Sequence, residues 1–310
     1  MRHGAALARR VHFGVVMRLA LGNSVVIASL LAGGVALAGT KAPATTTPPR
    51  SMFRGSYEPP KNPEHDGLYE DLQTKQILEK LSDALTAIRL KEPLRMKFAG
   101  CDGTSNAWYD DDDGIITFCY EYVAELEHSG RDAVVHGIPA DVARDGAVVF
   151  VLLHEISHAL FHRLRVPVLG REEDAADQVA AFMLLRAGEG IARRVLIGAA
   201  WMYLHDAAGR MPDEEDFSDV HGLDSQRFYN VLCMAHGSNP AAFQGMVEKG
   251  YLPKERAESC AEEYQQVSYA ARKLIDPSMD AQTWARTRER HKVHWEKKED
   301  PPPAALPPSP

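Results

Sequence analysis

Cysteine is scarce, with four residues in a chain of 310, and no two of them stand in Cys-x-x-Cys spacing. That excludes a thiolate zinc ribbon and a thioredoxin-like redox centre. The chain also lacks a glycine-rich phosphate loop, a dinucleotide fingerprint, a recognisable Ser-His-Asp spacing and any internal repeat. Basic charge is short as well: Lys plus Arg number 35 against 43 Asp plus Glu, a formal net charge of -8. Four of those cations, Arg2, Arg9, Arg10 and Arg18, lie at the extreme N-terminus, so the remainder is more acidic still. Such a surface repels phosphate backbones, and nucleic acid is not an expected partner. With 45% hydrophobic and 25% charged residues, neither disorder throughout nor a polytopic membrane protein fits.

What is present begins with a leader. The four arginines precede an apolar run, Leu19 to Ala38, which ends Ala36-Leu37-Ala38 before Gly39, a small-residue cleavage pattern. Residues 1–38 are therefore expected to be an export signal or, because the run is long enough to span a bilayer, an uncleaved anchor. Either way the remainder leaves the cytoplasm for the periplasm or the medium, and a membrane is a partner only if residues 19–38 stay attached. Residues 39–65, rich in Thr, Pro, Lys and Ser, and 299–310, mostly Pro and Ala, are expected to be disordered. One folded domain is expected over 66–298, a size compatible with a single core. The even number of cysteines in an exported chain favours disulfides. Nearness in sequence pairs Cys101 with Cys119 and Cys233 with Cys260, one of three possible connectivities.

Within the domain, Leu68, Leu72, Leu78, Leu81, Leu85 and Ile88 predict one amphipathic helix from Asp66 to Leu90. Leu94 to Phe98 alternates apolar and basic residues, and Ala107-Trp108-Tyr109 and Ile115 to Tyr120 are rich in strand formers, with Asp110 to Gly114 between them. This predicts a β-hairpin with an acidic turn. The aspartate run lacks the alternating ligands and closing glutamate of an EF-hand, so it reads as a solvated turn. After Pro139 the chain turns helical, with an apolar stretch Ala147 to Leu153. Further helices are expected from Arg171, over Ile191–Asp206, Ser225–His236 and Lys254–Leu274. The fold class is α+β: a small sheet with a hairpin, packed on a buried helix, and a mostly helical C-terminal half.

The chemistry concentrates in His154-Glu155-Ile156-Ser157-His158, a His-Glu-x-x-His motif on that buried helix. Residues four apart share a face, so His154 and His158 can reach one Zn2+, while Glu155, offset by about 100°, can approach a water beside it. Two histidines need a third ligand, because catalytic zinc takes three from the protein and leaves a position for water. Glu173, nineteen residues past His154 on the next helix, fits that role. Asp177, one turn further on the same face, would accept the N–H of a ligand histidine and fix its tautomer. Ala176 and Ala180 on that face would let the helix come close. Glu172 could replace Glu173 but has Ala176, not an acid, one turn later. His162 is too far along the same helix to share the metal. Phe161 and Leu164 occupy the positions where the metzincin extension needs Gly and His.

Six blocks together resemble a bacterial metallopeptidase family of unknown function. They are Cys101-Asp102-Gly103, Asn106 to Tyr109, Ile116 to Glu121, His154 to His158, Gly170 to Asp177 and Gln226 to Asn230. Glu173-x-x-Ala176-Asp177 after the motif is similar to the gluzincin pattern, and Asn106-Ala107-Trp108 looks like the segment before the active helix in integral-membrane zinc proteases. The resemblance implies a zincin fold and bound zinc, with a peptide or protein as substrate. It also implies a role for His221, in the loop before the Ser225 helix, placed as a transition-state-stabilising histidine is in thermolysin-like enzymes. Tyr229 is a second candidate donor to the oxyanion. As in other zincins, an edge strand beside the active helix would pair with an extended substrate; Ile115 to Tyr120 is either that strand or an interior one tied down by Cys119. The expectation is an exported zinc peptidase; the alternative is an inactive zincin-fold module of the cell envelope that binds metal or protein.

Overall fold

The computed structural model describes residues 51–295, Arg210 excepted. The expected leader, most of the linker and the Pro-rich tail fall outside the described residues.

Four strands form one mixed sheet in the order β1-β2-β4-β3: β1 Phe53–Tyr57, β2 Leu94–Ala99, β3 Ala107–Asp110 and β4 Ile115–Cys119. β1 runs parallel to β2 with Phe53 opposite Leu94, β2 runs parallel to β4 with Phe98 opposite Phe118, and β3 returns antiparallel to β4 with Tyr109 opposite Ile116. The alternation in β2 is realised: Leu94, Met96 and Phe98 are fully buried, whereas Arg95 and Lys97 face away. The hairpin forms as expected, with Gly114 taking the positive φ that its turn requires.

Two expectations need correction, and one left open is settled. Residues 53–57 are not linker but strand β1, held by its ladder to β2; its short Phe-Arg-Gly-Ser-Tyr sequence carries little apolar periodicity of its own. The single helix expected over 66–90 is two, α1 Asp66–Lys75 and α2 Ile77–Ala84, broken at left-handed Gln76. The step of six from Leu72 to Leu78 is a phase slip, and the break brings both stripes onto the core. Of the two roles left open for Ile115 to Tyr120 the interior one is realised: Ile115–Cys119 has partners on both sides, so its backbone is not free for a substrate, and β1 and β3 are the edges.

Helices make up the rest: α3 Tyr120–Ala133, α4 Ala140–Leu164, α5 Glu172–Ala187, α6 Glu189–Ala207 and α7 Glu214–Ser218 come first. They are followed by α8 Asp224–Ser238, α9 Pro240–Glu248, α10 Lys254–Leu274 and α11 Ala281–Trp295. α4 is the central helix. Among the described residues it alone is long and apolar enough to cross a membrane, but 72% of its apolar window is buried inside the protein, which accounts for its composition. It crosses α6 at Gly146 and Gly198, where the two backbones touch. Both disulfides join the expected partners, Cys101 to Cys119 and Cys233 to Cys260.

Candidate active site

α4 brings His154, Glu155 and His158 to its face towards α5, and the fully buried Ala176 and Ala180 let α5 approach it. Glu173, in the first turn of α5 where the helix dipole favours a carboxylate, points its Oε2 at three imidazoles. It lies 3.0 Å from His154 Nε2, 3.2 Å from His158 Nε2 and 3.0 Å from His221 Nε2. His154 Nε2 and His158 Nε2 are themselves 3.1 Å apart.

Each imidazole is anchored from behind by a carboxylate on Nδ1. Asp177 takes that of His154 at 2.7 Å, Glu172 that of His158 at 2.8 Å, and Asp219 that of His221 at 2.9 Å. A proton held on Nδ1 leaves the Nε2 lone pair facing the centre. Two such Nε2 atoms 3.1 Å apart are within hydrogen-bonding distance, so they share either a proton or a metal ion.

The donor set therefore suits a metal ion. Four ligands at zinc bond lengths form a tetrahedron with edges of about 3.3 Å, close to the 3.0–3.2 Å spacing of the His154, His158 and Glu173 donor atoms. These three atoms form one cluster able to hold an ion, and His221 is not part of it. Two further clusters pair a glutamate with Cys101 and Cys119 or with Cys233 and Cys260, but those sulfurs are bonded to each other and offer no thiolate.

Asp177 is almost fully buried, and its charge is satisfied three ways: by His154, by Tyr203 Oη at 3.1 Å, and by Arg227, whose Nε and Nη2 donate at 2.8 and 3.0 Å. Burial pushes its pKa up, but Arg227 and His154 outweigh that and hold it well below the usual carboxylate range. Burial likewise opposes protonation of His154, yet its bonds to Asp177 and Glu173 raise its pKa to about 9. Glu173 is driven far down by its three histidines against the effect of burial. Glu155 goes the other way. Burial raises its pKa, and the neighbouring His154 and His158 reverse only part of that. A carboxyl with heightened proton affinity beside a metal site is equipped to take and return a proton.

The edge strand completes the setting. The Tyr109 backbone amide lies close enough to the Glu155 carboxyl to lower its pKa slightly, so β3, an edge strand, runs beside the site. His162, one turn beyond His158, bonds through Nδ1 to Tyr109 Oη at 3.0 Å and takes no part in the cluster.

Of the residues singled out in the sequence, His154, Glu155, His158, Glu173, Asp177 and His221 meet here. Tyr229 makes none of the contacts that hold the cluster together: it packs edge-on against Phe228 and lines a polar cavity of about 510 Å3 with Arg171, Asp174, Gly222 and Arg256. Sequence reasoning missed Arg227, Tyr203 and the orienting role of Glu172. Only Glu172 left a trace, as an acid beside Glu173. Arg227 and Tyr203 reach Asp177 from 50 and 26 residues away, beyond any local pattern.

A mixed α+β domain whose central helix presents two histidines to a carboxylate of the next helix belongs to the class of proteins that can hold a metal on a buried scaffold. Over residues 57–275 the chain matches the family described as "Putative metallopeptidase", and it belongs to that family. A metallopeptidase requires a metal ion, and the His154, His158 and Glu173 cluster supplies donors for one. No curated protein and no solved structure matches the chain.

Proposed function

We propose that this protein is a zinc-dependent peptidase of gluzincin type, with a zincin-like fold, working outside the cytoplasm. The observation that carries the reading is the meeting of His154 Nε2, His158 Nε2 and Glu173 Oε2 within 3.2 Å of one another, with Glu155 on the same helix. Two imidazoles and a carboxylate suit zinc, and disulfides such as Cys101–Cys119 and Cys233–Cys260 persist in oxidising compartments.

Bound zinc would supply Lewis-acid polarisation of a water and of a scissile carbonyl. The chain's own residues do the rest. Asp177 and Glu172 fix the His154 and His158 rings so that Nε2 faces inward. Glu155 accepts the proton of the attacking water and delivers it to the leaving amine, a double duty suited to its raised pKa. His221, 41% exposed at the rim, has its pKa raised by Glu173 and Asp219; carrying a proton on each nitrogen, it keeps Nδ1–H on Asp219 and donates from Nε2 to the developing oxyanion. The unpaired edge of β3 takes an extended peptide as an added strand and lays its backbone past Glu155. That arrangement favours peptides and unfolded segments over compact small molecules.

Metal analysis of the purified protein, with Glu173→Ala and Glu155→Gln beside it, tests the reading. About one zinc per chain is expected in wild type, lost in Glu173→Ala and kept in Glu155→Gln, with cleavage of an unfolded protein substrate abolished in both. A folded wild type that takes up no zinc overturns the reading. Zinc bound at this site without cleavage of any peptide in a random library would leave a metal-binding module instead.

A further inference from the structure

A second sizeable cavity lies away from the metal site. It holds about 630 Å3 and lies between α2, the N-terminal half of α4, α5, α6 and α11. No residue of the histidine cluster lines it. Its volume falls in the range of small-molecule sites. The deep wall is apolar and buried, formed by Leu81, Leu85, Val142, Leu153, Phe182 and Ile275. Val149, Ile191 and Trp284, half-buried, continue that surface outward.

The charge around this apolar interior is one-sided. Six lysines and arginines line the cavity against four aspartates, in a chain whose net charge is -8. Three of the aspartates are already neutralised: Asp83 by Arg290 at 3.2 Å, Asp145 by Lys75 at 2.8 Å and Asp276 by Arg186 at 2.6 Å. The fourth, Asp141, lies in the first turn of α4, where the helix dipole offsets it. Lys80 and Arg288 are exposed, so they stand at the opening, and neither makes an ion pair among the described residues. An apolar interior with two uncompensated cations at its mouth matches a molecule with an alkyl chain and an anionic head.

We propose that this cavity is a binding site for a single-chain anionic amphiphile of the long-chain carboxylate class, separate from the peptidase centre. The alkyl chain lies along the α4 stripe Val142, Val149 and Leu153, and the carboxylate meets Lys80 and Arg288. Trp284 in the wall provides an intrinsic signal.

The test is titration of the full chain with octanoate, decanoate, laurate and myristate below their micellar concentrations, followed by calorimetry and tryptophan fluorescence. One saturable site is expected, tightening roughly fourfold for each methylene moved from water into the cavity. Dodecylammonium, with the same tail and the opposite charge, should bind at least about tenfold more weakly than laurate. Lys80→Glu with Arg288→Glu, both surface changes, should erase that preference. Ile191→Trp, which fills the cavity, should abolish binding while circular dichroism shows a folded chain, and Trp284→Phe should remove the fluorescence change without removing the heat. Absence of saturable binding overturns the proposal, as does equal affinity for dodecylammonium, or unchanged binding in the charge-reversed pair. A chain that sediments as a dimer and binds laurate only when dissociated would overturn it too, by making a second copy the occupant.

Discussion

Arg227 grips both oxygens of Asp177, Nε to Oδ2 at 2.8 Å and Nη2 to Oδ1 at 3.0 Å, while its guanidinium lies over the Tyr203 ring at 4.4 Å. Because Asp177 also anchors His154 Nδ1, an arginine on α8 sets the aim of an imidazole on α4 through a carboxylate on α5. Arg227→Lys keeps the charge but loses the two-pronged geometry. Zinc affinity, measured by competition with a chelator, should fall by roughly 10- to 100-fold. Arg227→Ala should go further and cost about 3–5 kcal/mol of stability by stranding a buried carboxylate. Unchanged zinc affinity in Arg227→Lys would mean that Asp177 needs no such support.

His221 separates two roles. Its Nε2 touches Glu173 Oε2, yet it stands outside the cluster that could share one ion. His221→Ala should therefore retain zinc while the turnover number drops by about 10²–10³, the usual loss when one oxyanion donor is removed. Loss of zinc in that variant would make His221 a ligand instead.

The crossing of α4 and α6 admits no side chain. A Cβ at Gly198 would lie 2.6 Å from Ala147 N and 2.7 Å from Ala143 O, both backbone atoms that cannot swing away. Gly198→Ala should push α4, the helix of His154 and His158, outward and lower stability by roughly 1–3 kcal/mol. Gly245, inside α9, has no neighbour within 4 Å of its would-be Cβ. Gly245→Ala should instead stabilise by about 0.5–1 kcal/mol through helix propensity. Thermal melts of the two variants moving in the same direction would sink this account.

How much of this was legible in the sequence follows from the range of the interactions. His154, Glu155 and His158 are set by helical periodicity, a rule that needs no tertiary structure. Glu173 and Asp177 follow from counting along one further helix. The alternation in β2 and the turn at Gly114 were equally local. Strand β1 was not, because its five residues are held by a ladder to β2, 41 residues away, and not by their own propensity. The same distance hid the edge position of β3, since strand order depends on the crossover that places β4 beside β2. Gln76 broke a helix without glycine or proline to announce it. The amphiphile-sized cavity left no local pattern, since its wall is assembled from five helices.

The Cys233–Cys260 bridge ties α8 to α10, and both cysteines are fully buried. Replacing both by alanine should cost about 2–4 kcal/mol, read as a fall in the denaturant midpoint. The native bridge should resist mild reductant that opens it in the unfolded chain. A double variant as stable as wild type would show that the α8 and α10 contact holds without the link.

Away from the histidine cluster, acid stability should depend on Asp71. Burial would raise its pKa, but Lys75 and Arg144 outweigh this and hold it below the usual aspartate value. A carboxyl depressed on folding contributes stability above its unfolded pKa of about 3.9, and that contribution disappears as pH falls through the folded value. The Asp71 side chain is 37% exposed, so solvent screening keeps the effect near 1 kcal/mol at neutral pH. Asp71→Asn should therefore melt below wild type at pH 7, and the two melting temperatures should converge from about pH 4 downward. A gap that widens on acidification would mean that Asp71 binds its proton more tightly in the folded chain than in the unfolded one, reversing the sign assigned to the Arg144 and Lys75 pairing.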